Sequence, residues 1–231
     1  MISNYLVEYQ LNGIPSSFEF YLFVNPLGMK CYKTEQELIN SLSIISSKVD
    51  LNIITFHNHK LVPYFLNQLN LHSHDLQTRN YYYNIVYKAS IAYKTASLQG
   101  RKLGRDYLFR LQEVFNEDIH TFNDDLLYQI AKEIGLDLQI FIEDFQSDFV
   151  RQLFLKDQQI AQEMNVKQTP ALVIFQNQSP EDGVLLREQI TKEKIIEELD
   201  NIVKDFYYAN AHSSKGNPKL SIIHKSNRSK N

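Results

Sequence analysis

A proline set directly ahead of an apolar strand constrains this chain more than any other feature. Gln168-Thr169-Pro170-Ala171-Leu172 leads without a break into the run Leu172 to Phe175. Proline has no N–H to give to a sheet ladder. At the head of a strand that should be buried it is accommodated by special means, often a cis bond in a tight turn. A second stretch, far upstream, has a matching character. Phe18, Phe20, Leu22 and Val24 read as a core strand, Asn25-Pro26-Leu27-Gly28 as a tight Pro-led turn, and Leu38, Leu42 and Ile45 as the apolar side of a helix. The first turn of that helix carries the chain's single cysteine, Cys31.

One cysteine excludes an intramolecular disulfide, a Cys-x-x-Cys redox cycle within the chain, and every multi-cysteine zinc or iron–sulfur site. His57-Asn58-His59 and His72-Ser73-His74 lack the further ligand spacing that a metal site needs, so no metal and no cofactor is expected. No phosphate-binding glycine loop, dinucleotide turn, nucleophile elbow or paired-carboxylate signature is present. No apolar run approaches the roughly 18 residues of a membrane-spanning helix. Met1-Ile2-Ser3-Asn4-Tyr5 lacks the pattern of a signal peptide, so the expectation is a cytoplasmic protein without a membrane partner. Residues 209–231 carry five basic groups and no acidic one. Removing those charges from the net −3 leaves −8 on the rest, a basic tail on an acidic body. Such a tail is able to touch nucleic acid or an acidic partner, but the favoured reading is a solvated, disordered segment without direct nucleic-acid binding.

At 231 residues the chain suits one domain with an insertion, or two small domains. Val7, Tyr9 and Leu11 alternate ahead of the turn signal Asn12-Gly13 and read as a lead-in strand. Strand 17–24, helix 28–47 and the continuous apolar strand 48–57 form a β-α-β unit. A short helix or loop follows over 60–70, then helices over 77–98, 105–115 and 123–135, a short piece over 137–141 and a long helix over 145–164. Strands 171–175 and 184–187, joined by a turn at Ser179–Gly183, read as an antiparallel hairpin, and Thr191 caps the last helix. The order is β-α-β, a helical block, then α-β-β-α. The expected division is a sheet-bearing domain of 17–59 and 146–208, an all-helical insertion of 60–145, and the tail 209–231.

This α/β layout, with the Pro-led corner and Thr169-Pro170, resembles the DsbA-like branch of the thioredoxin fold. Ala89-x-x-Ala92-x-x-x-Ala96-x-x-Gln99-Gly100, Leu108-x-x-Leu111-Gln112, Gly135-Leu136-Asp137-Leu138 with Phe141, and the stretch from Asp157 through Met164-Asn165-Val166 are similar to one cytoplasmic subgroup. These are the adaptors that present the transcriptional regulator Spx to the ClpXP protease. The likeness covers roughly residues 17–205. It implies a non-catalytic protein with Spx and ClpXP as partners, and a partner-binding corner built from Asn25, Pro26, Gly28, Cys31, Thr169 and Pro170. One departure matters: the family pattern is Asp-Pro-x-Cys-x-x-Cys-Trp, and Gly28 stands at the attacking cysteine while Cys31 keeps the resolving position.

A helix N-terminus favours the thiolate, but the benefit falls off within the first turn, and Cys31 lies three residues deeper than the attacking position. Cys31 therefore reads as an inert core thiol. The alternative is a thiol–disulfide oxidoreductase or glutathione-dependent isomerase using Cys31 alone, with the second thiol supplied in trans. In the fold that the chain resembles, the residue before the cis proline offers its backbone to an extended peptide, which needs no cysteine. Gly28 is expected to leave the facing helix end open. Tyr81, Tyr82, Tyr83, Tyr87 and Tyr93 read as helix-packing residues first and as an aromatic binding surface second.

Overall fold

The computed structural model describes residues 5–211 and 219–226. The chain runs β1 (Tyr5–Leu11), β2 (Ile14–Pro15), β3 (Phe18–Val24), α1 (Met29–Leu42), β4 (Val49–Thr55), α2 (Val62–Gln68), α3 (Leu76–Leu98), α4 (Arg101–Glu117), α5 (Asp124–Glu133), α6 (Leu138–Gln146), α7 (Asp148–Glu163), β5 (Ala171–Gln176), β6 (Ser179–Leu186), α8 (Lys192–Ala211) and β7 (Leu220–Ser226). Its contacts gather into two units, one of Met1–Leu22, Lys33–Ile53 and Ala171–Asn231, the other of Phe23–Tyr32 and Ile54–Pro170. The boundary differs from the expected one. Helix α7, assigned from sequence to the sheet domain, falls within the helical unit, and the lead-in strand falls within the sheet unit.

In the sheet unit a four-stranded sheet has the order β4-β3-β5-β6, with the β-α-β pair on one side and the hairpin on the other. A smaller sheet has the order β2-β1-β7. Asn12 (φ 53°) and Gly13 (φ 77°) both take the left-handed conformation that a two-residue hairpin turn requires, which sets Leu11 opposite Ile14. Tyr9 is fully buried, its ring 5.6 Å edge-on to Phe18 and its N–H donating to Ser47 Oγ at 3.0 Å. Burial, with the neighbouring Asp200 carboxylate, pushes the Tyr9 phenol far above its ordinary range.

Three expectations are corrected here. Helix α1 ends at Leu42 rather than near Ser47, because the serine-rich segment after it turns toward β1: Val7 N–H donates to Ile44 O at 2.6 Å and Ser46 N–H to Val7 O at 2.8 Å. The hairpin turn lies at Asn177-Gln178, with Gln176 opposite Ser179, so Ser179–Gly183 belong to β6. Pro180 is tolerated there because β6 is an edge strand. Residues 209–231 are not a uniformly disordered tail. Helix α8 extends to Ala211, and β7 pairs antiparallel with β1 from Leu220↔Leu11 to Ser226↔Tyr5. Residues 212–218 and 227–231 lie outside the described residues.

The helical unit is packed around Phe65, Leu66, Val86, Ala89, Tyr107, Leu111, Phe115 and Phe141, with Leu27 from the turn before α1 in the same core. Small residues let α3 and α4 close. A Cβ at Gly104 would collide with Ser97 Oγ and lie 2.9 Å from Ser97 Cα. Side-chain caps separate the helices: Asp75 accepts from Gln77 and Thr78, Asn123 from Leu126, Asp137 from Ile140 and Ser147 from Val150. The Ser147 cap divides α6 from α7, so the short piece expected at 137–141 becomes a full helix to Gln146. Among the described residues no helix is long and apolar enough to cross a membrane.

Candidate functional site

The Pro-led turn is held by its own polar groups. Asn25 Oδ1 accepts from Leu27 N–H at 3.0 Å, and Gly28 N–H donates to Asn25 O at 3.0 Å. Pro26 sits at the second turn position, where its fixed φ is pre-set. The turn delivers the chain into α1, whose first turn contains Met29, Lys30 and Cys31. Cys31 is 2% exposed, and Asn25 N–H donates to its sulphur at 3.2 Å.

The peptide bond Thr169–Pro170 is cis. Thr169 lines the same small pocket as Asn25, Gly28 and Cys31, so four of the six corner residues named from sequence meet there. Pro26 and Pro170 are not among its lining residues. Gly28 itself is buried. A Cβ placed on it would lie 3.3 Å from Asn25 Cβ and 3.4 Å from Cys31 Sγ. The pocket holds about 10 Å³ of space, room for about one water. The helix end is therefore less open than the missing side chain suggested. The accessible part of the corner is its apolar rim, where Met29 is 40% and Tyr64 46% exposed, with Lys30 Nζ 5.5 Å above the Tyr64 ring.

Sequence reasoning missed the far wall of this pocket, Phe56, His57, Tyr64 and Phe65. Only the position of His57 just past the end of β4 hinted at it, since sites in α/β folds gather at strand ends. The His57 N–H donates to Gln158 Oε1 at 3.0 Å, and Gln158 Nε2 donates to Thr55 O at 2.9 Å. His57 Nε2 is 3.0 Å from Tyr83 O, and a carbonyl only accepts, so Nε2 carries the proton. Burial, opposed by that bond and helped by His59, pushes the imidazole from 6.5 down to about 4. His59 stacks on Tyr83 with centroids 3.9 Å apart. Both histidines of the first His-x-His are thus engaged with Tyr83, and among the described residues no group of three or more His, Cys, Asp or Glu gathers into a metal-ligating cluster. Of the tyrosines, Tyr82 and Tyr93 are core, Tyr83 and Tyr87 half-buried, and Tyr81 exposed.

The geometry of position 28 yields a direct prediction. Gly28 does not occupy the left-handed region, so a side chain meets no backbone penalty there. With its Cβ so close to the Cys31 sulphur, a Gly28→Cys variant treated with diamide forms an intramolecular disulfide. Two thiols are oxidised as the diazene is reduced, and mass spectrometry shows a monomer lighter by two hydrogens. Two free thiols after oxidation would contradict the geometry.

A four-stranded sheet with a β-α-β pair and a hairpin, a helical insertion, and a cis-proline corner at the start of the first helix define a thioredoxin-like fold. The chain belongs to the thioredoxin family: the family model described as Thioredoxin matches residues 21–198. It is 29% identical over 209 residues to the ClpXP adapter protein SpxH of Bacillus cereus, covering 81% of this chain and 69% of that one. SpxH of Staphylococcus epidermidis is 29% identical over 171 residues, covering 73% of this chain and 59% of the relative. Among solved structures, the oxidoreductase DsbA from Xylella fastidiosa superposes with a TM-score of 0.56 at 13% identity, covering 82% of this chain and 86% of that one. At that identity the likeness is one of fold, and it is DsbA-like.

Proposed function

We propose that this chain is a cytoplasmic, non-catalytic adaptor that binds the transcriptional regulator Spx and delivers it to the ClpXP protease. One observation carries the reading: in a chain similar to ClpXP adapter proteins, the attacking position of a thioredoxin-type corner is Gly28, and the only thiol, Cys31, is 2% exposed. Disulfide exchange requires an accessible thiolate, whereas peptide capture requires a shaped surface. What the corner offers a partner on this reading is its exposed apolar rim, Met29 and Tyr64, beside the buried Thr169 and Gly28. The adaptor acts by raising the concentration of its client at the protease, which is tethering rather than chemistry.

The test is a reconstituted degradation of Spx by ClpXP. Adding the chain accelerates loss of Spx, and the Cys31→Ser variant accelerates it equally. A folded Cys31→Ser protein without effect would defeat the non-catalytic reading and favour the monothiol oxidoreductase. Alkylation of native Cys31 separates the two readings independently. It is slow at neutral pH on the adaptor account and fast on the enzymatic one.

A further inference from the structure

A groove between α3 and the start of α5, lying within the helical unit, has no part in the cis-proline corner. It encloses about 660 Å³, within the range of ligand-binding clefts. Ile85 and Phe122 form an apolar floor, 6% and 7% exposed, and Tyr81 and Tyr87 line it from α3. Tyr81 is 47% exposed, with its ring edge-on to the buried Tyr82 at 5.2 Å, so it leaves a free face toward solvent. The other lip is the first turn of α5, Asp124 and Asp125, both exposed. Lys88 spans the groove mouth and binds Asp124 through both carboxylate oxygens, at 2.7 and 3.0 Å. That pairing neutralises Asp124, and among the described residues Asp125 has no ion-pair partner, only the positive N-terminal end of its own helix.

We infer that this groove is a second docking surface, and that its occupant is an amphipathic helix of a partner protein carrying an apolar anchor beside a lysine or arginine. The apolar floor between two helices suits helix-in-groove recognition, in which side chains at helical spacing enter the cleft. The charge selects the occupant's sign. An exposed carboxylate at the lip, on a helical unit whose charges nearly balance, disfavours phosphate, nucleic acid and acidic peptides there and draws a basic residue to Asp125. The surface goes beyond the reading of the corner and does not depend on it. Tethering nevertheless requires two surfaces that can be filled at once, and this groove supplies one that leaves the corner free.

The experiment is fluorescence anisotropy on the full chain, with a fluorescein-labelled amphipathic helix of leucine and lysine as probe, and the same helix with glutamate for lysine as its counterpart. The lysine helix binds and the glutamate helix does not. Asn84→Trp, which fills the groove from an exposed position of α3, and Asp125→Lys, which inverts the lip, each weaken binding by about tenfold or more, equivalent to about 1.4 kcal/mol. Tyr64→Arg, on the corner rim, leaves it unchanged. Circular dichroism melts confirm that the variants fold, and Asp125→Lys tests the site even where the tryptophan perturbs packing. Equal binding by the glutamate helix, no binding by the lysine helix, indifference to Asp125→Lys, or loss of binding in Tyr64→Arg would each overturn the groove. None of these outcomes bears on the Cys31→Ser degradation assay, so the two proposals fail separately.

Discussion

Asp157→Ala destabilises the protein by about 3–5 kcal/mol, the cost of leaving a buried charge without its partner. Lys94 of α3 and Asp157 of α7 form an ion pair whose side chains are 16% and 9% exposed. Burial pushes the Asp157 carboxyl up, against the pull of Lys94, so the pair survives because each charge answers the other. Beside it Ile91, Val150 and Phe154 make the apolar part of the same α3–α7 seam. Removing the carboxylate strands the Lys94 ammonium in this seam. The double variant Lys94→Met with Asp157→Leu recovers most of the loss, because two apolar side chains incur no desolvation cost. Urea denaturation of the parent and the two variants measures this. A single variant within about 1 kcal/mol of the parent would mean that the seam admits enough water to screen the charge.

Acidification produces the second large effect. In the unfolded chain His57 takes up a proton near its ordinary 6.5, whereas the folded chain refuses it until about 4. Below 6.5 the unfolded state therefore binds a proton that the folded state does not, and stability falls as pH falls through the interval down to about 4. The displacement corresponds to about 3 kcal/mol in total, fully present above the unfolded value. His57→Gln keeps a donor for Tyr83 O and removes the titration. Urea midpoints across this interval should fall more steeply for the parent than for the variant. Parallel slopes would show that His57 is charged in the folded protein.

What the sequence disclosed was local, and what it hid was long-range. The turn from Asn25 to Gly28, the cap at Asn123 and the proline at 170 each announce themselves within a few residues, because backbone geometry there is set by the side chain itself. Ser147 was passed over because Phe141, Phe145 and Val150 continue an apolar pattern across it, and the cap that separates α6 from α7 is visible only once its oxygen accepts from Val150 N–H. Strand β7 was hidden for the opposite reason. Leu220-Ser221-Ile222 has the makings of a strand, but its partner β1 lies at the other end of the chain, and the surrounding lysines pointed to solvent. The same logic divides the site. Asn25, Gly28 and Cys31 were legible as one motif, whereas Phe56, His57 and Tyr64 reach the pocket from β4's end and α2, with no spacing to connect them.

Binding of purified Spx measured by isothermal titration calorimetry tests the central claim most directly. A corner that holds a protein without thiol chemistry predicts that Cys31→Ser binds Spx as tightly as the parent. A Met29→Arg, Tyr64→Arg variant, altered only on the exposed rim, loses about tenfold or more in affinity, about 1.4 kcal/mol. A folded Cys31→Ser protein that no longer binds, or a rim variant that binds like the parent, would contradict it.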